Sequence, residues 1–240
     1  MSVKKEKEAL MQKNTYDFED LIAITRILRS DEGCPWDREQ DHHSVRSALI
    51  EETYEVVEAV DTENPTLLRE ELGDLLFQIM FHAQIETEEA RFGVGEVIDD
   101  ICQKMIHRHP HVFGSVEVEN SAEVLKNWES IKTEEKQRNT LVDKLRAIPP
   151  MMPALMRASK VGKKAGVDET VELDAVLDEL IREIEEFRAT VKTQNADLHG
   201  VLGALLMRFC TISRKLNIDA EHALSAYTDR LIDQIAEKNT

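Results

Sequence analysis

The chain is short of the residues that interrupt or staple a fold. Of its 240 residues, nine are glycine, six are proline, three are cysteine and 5% are aromatic. So few breakers, beside abundant Glu, Leu, Ala and Lys, favour helices. Strand-like alternation of convincing length is missing. Cys34, Cys102 and Cys210 are odd in number and far apart, so they match neither a zinc spacing nor a disulfide framework, and a reducing cytoplasm suits them. No apolar run reaches the roughly 20 residues of a membrane span. The Lys- and Glu-rich opening, as far as Thr15, has no apolar core of a secretory signal. Positive charge is scarce too: 30 basic residues face 47 acidic ones, for a net charge of -17. That balance argues against nucleic acid and anionic membranes as partners. It leaves room for small anions, provided metal ions intervene.

The 42% apolar content is enough for an ordinary core. Residues 1–15 read as a polar leader that frays. Helical periodicity then predicts helices over Asp17–Arg29, Ser44–Val60, Leu67–Ile85, Val94–Arg108 and Ser121–Lys136. Their inner faces include Leu68, Leu72, Leu75, Leu76, Ile79 and Ala83 on the third, and Val97, Ile98, Ile101 and Met105 on the fourth. Pro65 suits the first turn of its helix. Gly73 sits mid-helix at a cost of about 1 kcal/mol relative to Ala, which points to close approach by a neighbouring helix. Pro149-Pro150-Met151-Met152-Pro153 marks a boundary. Beyond it lie helical patterns at Ala154–Ala165, Leu173–Thr190, His199–Leu216 and Ala220–Glu237. The expected organisation is a leader (1–15), a first domain (16–138), a linker (139–153) and a second domain (154–240), all-α and built as antiparallel helical bundles.

Two acidic pairs carry the chemistry. Glu52 and Glu55 lie in Glu51-Glu52-Thr53-Tyr54-Glu55, and Glu71 and Asp74 lie in Glu71-Leu72-Gly73-Asp74. Residues three apart share a helix face, so two neighbouring helices each present two carboxylates. Glu52 falls on the apolar stripe of Val45, Ala48, Leu49, Val56 and Ala59. Burying carboxylates there is costly unless a cation neutralises them. Hard divalent ions bind through oxygen, and Mg²⁺ combines carboxylates with water and phosphate oxygens. The bland alternative is a solvated acidic face, the usual fate of Glu-rich helices. A di-iron carboxylate bundle wants Glu-x-x-His on two helices, and only Glu39-x-x-His42, ahead of the second helix, comes near. His107, His109 and His111 alternate around Pro110 outside regular helix, a poor ligand spacing. Trp36 sits in a Gly-Pro loop, which it can pin.

A weak internal repeat aligns Leu72-Gly73-Asp74-Leu75-Leu76-Phe77 with Leu202-Gly203-Ala204-Leu205-Leu206-Met207. Glu52 and Glu55 then fall on Glu183 and Glu186, while Val201 and Ala204 replace Glu71 and Asp74. The second copy lacks the second acidic pair.

The pattern Glu51-Glu52-x-x-Glu55, a gap of fifteen residues, then Glu71-x-x-Asp74 resembles the MazG nucleoside triphosphate pyrophosphohydrolases. Several segments share the likeness: Leu28 to Gln40, Glu70 to Gln78, Arg108-His109-Pro110-His111-Val112-Phe113-Gly114 and Asn127-Trp128-Glu129-Ser130-Ile131-Lys132. It runs from about Phe18 to Lys136 and continues beyond Pro153 as a diverged second copy. The resemblance implies two MazG-like helical bundles, assembled as an intertwined homodimer. It implies Mg²⁺-dependent cleavage of nucleoside triphosphates between the α and β phosphates, with Mn²⁺ as a substitute, in cleansing or control of the nucleotide pool. By motif position, Glu52, Glu55, Glu71 and Asp74 are metal ligands. Glu51 is their neighbour or a base for water. Lys104 and Arg108 contact phosphates, and Trp128 and Lys132 lie near the nucleotide. His42-His43 stands where Thr-His is more usual, away from the chemistry, and His107 replaces a common Arg. The degenerate second copy keeps an alternative alive: a non-catalytic nucleotide-binding regulator or scaffold.

Overall fold

A computed structural model describes residues 2–135, 140–192 and 197–239. The elements within them are helices: α1 (Val3–Met11), α2 (Phe18–Leu28), α3 (Pro35–Glu39), α4 (Arg46–Asp61), α5 (Pro65–Glu88), α6 (Val94–Arg108), α7 (Pro110–Phe113), α8 (Ser121–Glu135), α9 (Leu141–Arg146), α10 (Ala154–Ala165), α11 (Leu173–Thr190), α12 (Leu198–Lys215) and α13 (Ala220–Lys238). The chain divides into two compact units, 1–124 and 125–240. The expected domain end at 138 and linker start at 139 lie outside the described residues.

The first unit is built around α5, which packs on α4, α2 and α6. Local chemistry sets its limits. Asn64 accepts hydrogen bonds from the backbone N–H groups of Thr66 and Leu67, and Pro65 fills the first turn, as expected of a proline with no N–H to donate. Asp17 and Asp20 form a reciprocal capping box at the start of α2. Val45, Phe81 and Ile85 form a buried cluster with Phe77 against it. The Arg29 guanidinium lies 4.9 Å from the Phe81 ring centroid and pairs with Glu88 at 2.8 Å.

Three expectations need correction. The opening residues are not frayed: α1 is held to α2 by a Glu6–Arg26 ion pair of 2.5 Å. Leu72, Leu76 and Ile79 are 49%, 36% and 43% exposed, and Ile98 and Ile101 are exposed as well. Helix α5 carries two apolar stripes, and the one with Phe81 and Ile85 packs within the chain, leaving the other outside. A Cβ at Gly73 meets nothing within 4 Å, so no close approach explains that glycine.

In the second unit, α12 packs on α10, α11 and α13, and α9 packs on α10. Val176 and Cys210 are fully buried. Gly166, at φ 67°, closes α10 in the left-handed conformation that glycine adopts without strain.

Candidate metal centre

The site forms where α4 and α5 lie side by side. Glu52 and Glu55 project from α4 and Glu71 from α5. One carboxylate oxygen from each lies within 4.8 Å of the others. Glu71 is buried, Glu52 and Glu55 are half-buried, and Glu51 and Asp74 are exposed. The electrostatics record the crowding. Burial first, then a hydrogen bond to Glu55 and the charges of Asp74 and Glu55, push the Glu52 carboxyl above its usual range, while a hydrogen bond from Gln78 opposes the shift. Burial, followed by the charges of Glu55, Asp74 and Glu70, pushes Glu71 up as well. Asp74 stands outside the trio of close oxygens yet near enough to raise both partners.

No Lys or Arg among the described residues pairs with Glu52, Glu55, Glu71 or Asp74. Buried like charges without a counter-ion are unfavourable, and the donor set is all oxygen. These residues therefore fit a hard divalent cation. Among the described residues, this acidic trio is the group of His, Cys, Asp and Glu able to hold one; the His107, His109 and His111 cluster is not. His109 Nδ1 is spent on the Met105 carbonyl at 2.6 Å.

The second copy supplies an internal contrast. There, Arg208 of α12 pairs with Asp168 at 2.6 Å, Glu183 at 2.7 Å and Glu179 at 3.0 Å. By the repeat, Arg208 takes the place of Gln78 and Glu183 that of Glu52. One copy gives its carboxylates a neutral amide; the other gives them a guanidinium, held charged by Glu183 above all. The second cluster already holds a cation from its own chain.

The remaining expected residues are spread out. Lys104 is exposed on α6, and Arg108, one turn on, is only 5% exposed. Trp128 and Lys132 lie on α8, in the second compact unit, with Lys132 Nζ 4.3 Å from the Trp128 ring centroid. Sequence reasoning placed Gln78 on the stripe of Glu71 and Asp74 but gave it no role. It also set His42 aside, although His42 joins a network with His82, Glu86 and Arg91. The signal for that network was the same stripe carried one turn further, from Gln78 to His82.

A family model for the MazG nucleotide pyrophosphohydrolase domain matches residues 40–113. The nucleoside triphosphate pyrophosphohydrolase/pyrophosphatase MazG of Thermotoga maritima is 38% identical over 220 residues, which cover 90% of this chain and 83% of that protein. The nucleoside triphosphate pyrophosphohydrolase of Escherichia coli K12 is 41% identical over 217 residues, covering 88% and 82%. The crystal structure of a mazG-related protein from Thermotoga maritima superposes with a TM-score of 0.41 at 29% identity, over 48% of this chain and 98% of that one.

Proposed function

The chain belongs to the MazG family, and on that premise we propose that it hydrolyses nucleoside triphosphates, ribo or deoxy, at the α–β phosphate bond. Water is added across that anhydride, and the products are the nucleoside monophosphate and pyrophosphate. The observation that carries the reading is the crowded, cation-free trio Glu52, Glu55 and Glu71 with Asp74 beside it. These four hold Mg²⁺, with Mn²⁺ as a substitute. Such an ion, held by these carboxylates, would supply Lewis-acid chemistry: it would offset phosphate charge and make water more acidic.

The rest is the work of this chain's side chains. Glu51, exposed on the same helix, orients water or takes its proton. Lys104 and Arg108 neutralise phosphate oxygens that a protein of charge -17 would otherwise repel. Trp128 and Lys132 take their role near the nucleotide from the motif alone. The chemistry belongs to the first of two MazG-like domains, 16–138, because Arg208 already occupies the corresponding cluster in the second. A homodimer belongs to the same proposal, since it would cover the exposed row of Leu72 and Leu76. So does a cytoplasmic role in cleansing or control of the nucleotide pool. None of the described helices is long and apolar enough to cross a membrane.

Pyrophosphate release from the eight common nucleoside and deoxynucleoside triphosphates tests the reading, run with Mg²⁺, with a chelator and with ferrous iron. Release that needs Mg²⁺ supports it. No release from any substrate would move the assignment to a non-catalytic nucleotide-binding regulator. Activity with Mg²⁺ and no bound iron would exclude the di-iron class.

A further inference from the structure

A cavity of about 370 Å³ opens in the first unit, lined by His42, Leu49, Ile79, His82, Ala83, Glu86, Phe92 and Val97. That volume lies in the roughly 300–1,000 Å³ range of small-molecule pockets. Two imidazoles distinguish it. The His42 and His82 rings are parallel to within 4°, with centroids 5.0 Å apart. Their Nδ1 atoms are 2.7 Å apart. That separation is shorter than the roughly 3.5 Å between stacked atoms in van der Waals contact. The rings therefore lie edge to edge in one plane and share a hydrogen bond, forming a single flat plate.

The plate is braced from one side. His42 Nε2 bonds Glu86 Oε1 at 2.5 Å, and Arg91 holds the same carboxylate through Nε and Nη2. Arg91 and then His42 keep Glu86 ionised, with its pKa lowered to about 2. Both Glu86 oxygens are thereby occupied, so the cavity offers almost no free polar group. Burial and the neighbouring His42 lower the pKa of His82. His82 Nε2 is buried without a hydrogen-bond partner. Leaving a buried nitrogen unpaired is unfavourable. Packing alone would be better served by Phe, which fills the space without that cost.

Position relates the plate to the acidic cluster. Glu71 and His82 are eleven residues apart on α5, three turns, and so within about 20° of one face. Gln78, which bonds Glu52, lies one turn short of His82. Leu49 lies one turn before Glu52 on α4. Along the helix axis the plate begins about 6 Å from Gln78, the residue that meets Glu52, and about 16 Å from Glu71. A ribose together with part of the phosphate chain spans a gap of that order.

We propose that the His42–His82 plate and the apolar slot beside it seat the nucleobase of the triphosphate. The inference rests on the proposed hydrolase reading and extends it from the phosphates to the base. Stacking uses the π-face that every base has and does not read the hydrogen-bonding edge. The slot therefore recognises a flat aromatic rather than a particular base, and His42 and His82 act as positioning residues.

The test is calorimetric binding of α,β-methylene ATP with Mg²⁺, beside inorganic tripolyphosphate, which has no base. It reads the slot whether or not the protein turns over, so failure of the hydrolase reading is separable from failure of this one. His82→Ala in the full chain is expected to weaken the ATP analogue by about 5- to 150-fold, the range set by loss of one stacked base. Tripolyphosphate affinity should be unchanged. His82→Phe, which keeps a flat ring without the hydrogen bond, should retain most of the analogue's affinity. Equal weakening of both ligands would make His82 merely structural and overturn the proposal. So would unchanged analogue binding, including the case in which the Ala variant instead shifts the oligomeric state.

Discussion

Glu71 decides most at the scale of single residues. It is buried and faces Glu55 and Asp74 with no cationic side chain paired to the cluster. Glu71→Gln or Asp74→Asn should lower pyrophosphate release by at least about 100-fold, the scale of removing one electrostatic stabiliser of a transition state. Each should leave the apo fold as stable or more so, because carboxylate repulsion is relieved. Turnover assays beside thermal melts check both halves. The pH dependence has a definite sign. Glu52 and Glu71 have raised pKa values, so the apo folded state binds more protons than the unfolded chain above the ordinary carboxylate range. Apo stability should therefore rise as pH falls from neutral through their raised pKa values. Glu86 works the other way. Its contribution is present above the unfolded carboxylate pKa and is lost as pH falls toward about 2. Melts in chelator should peak at mildly acidic pH. Saturating Mg²⁺, which binds the ionised cluster, should flatten the decline toward neutral pH. A chelator-treated protein most stable at pH 8 would contradict this.

Helices are the scale at which sequence was most and least informative. The place of Pro65 in the first turn of α5 and the helical spacing of Glu52 and Glu55 were legible, because local sequence determines them. The burial of α5 was not. Its two apolar stripes look alike in sequence, and only packing on α4 and α2 selects Phe81 and Ile85 over Leu72 and Leu76. The His42–His82 plate was hidden for a related reason: forty residues separate two rings that only the fold brings into one plane. The absence of a second acidic pair was readable from Val201 and Ala204, but the pairing of Arg208 with the carboxylates around Glu183 was not. Arg208 is about one-fifth exposed and holds three carboxylates. Arg208→Ala should destabilise the second unit by an amount near the low end of the roughly 3–5 kcal/mol seen when one partner of a buried pair is removed. Mg²⁺ should restore part of the lost melting temperature, because the variant recreates an uncompensated acidic cluster. A melting temperature that ignores Mg²⁺ would break the parallel between Arg208 and a bound ion.

For the whole molecule, charge and exposed apolar surface make separate demands. A chain of net charge -17 meets a polyanionic substrate only with cations between them. Nucleotide affinity should collapse in chelator even where the fold is intact. The exposed Leu72 and Leu76 call for a cover. Light scattering should give twice the chain mass, and Leu72→Glu with Leu76→Glu should give the single chain. A wild-type monomer at micromolar concentration would remove the dimer from the account.

The central claim is that the α4–α5 carboxylates are the metal-dependent centre of triphosphate cleavage. Phosphorus NMR of ATP with Mg²⁺, following wild type and Glu71→Gln side by side, tests it most directly. The account predicts AMP and pyrophosphate from the wild type and unreacted ATP with the variant. ADP and orthophosphate from the wild type, or pyrophosphate at an undiminished rate from Glu71→Gln, would contradict it.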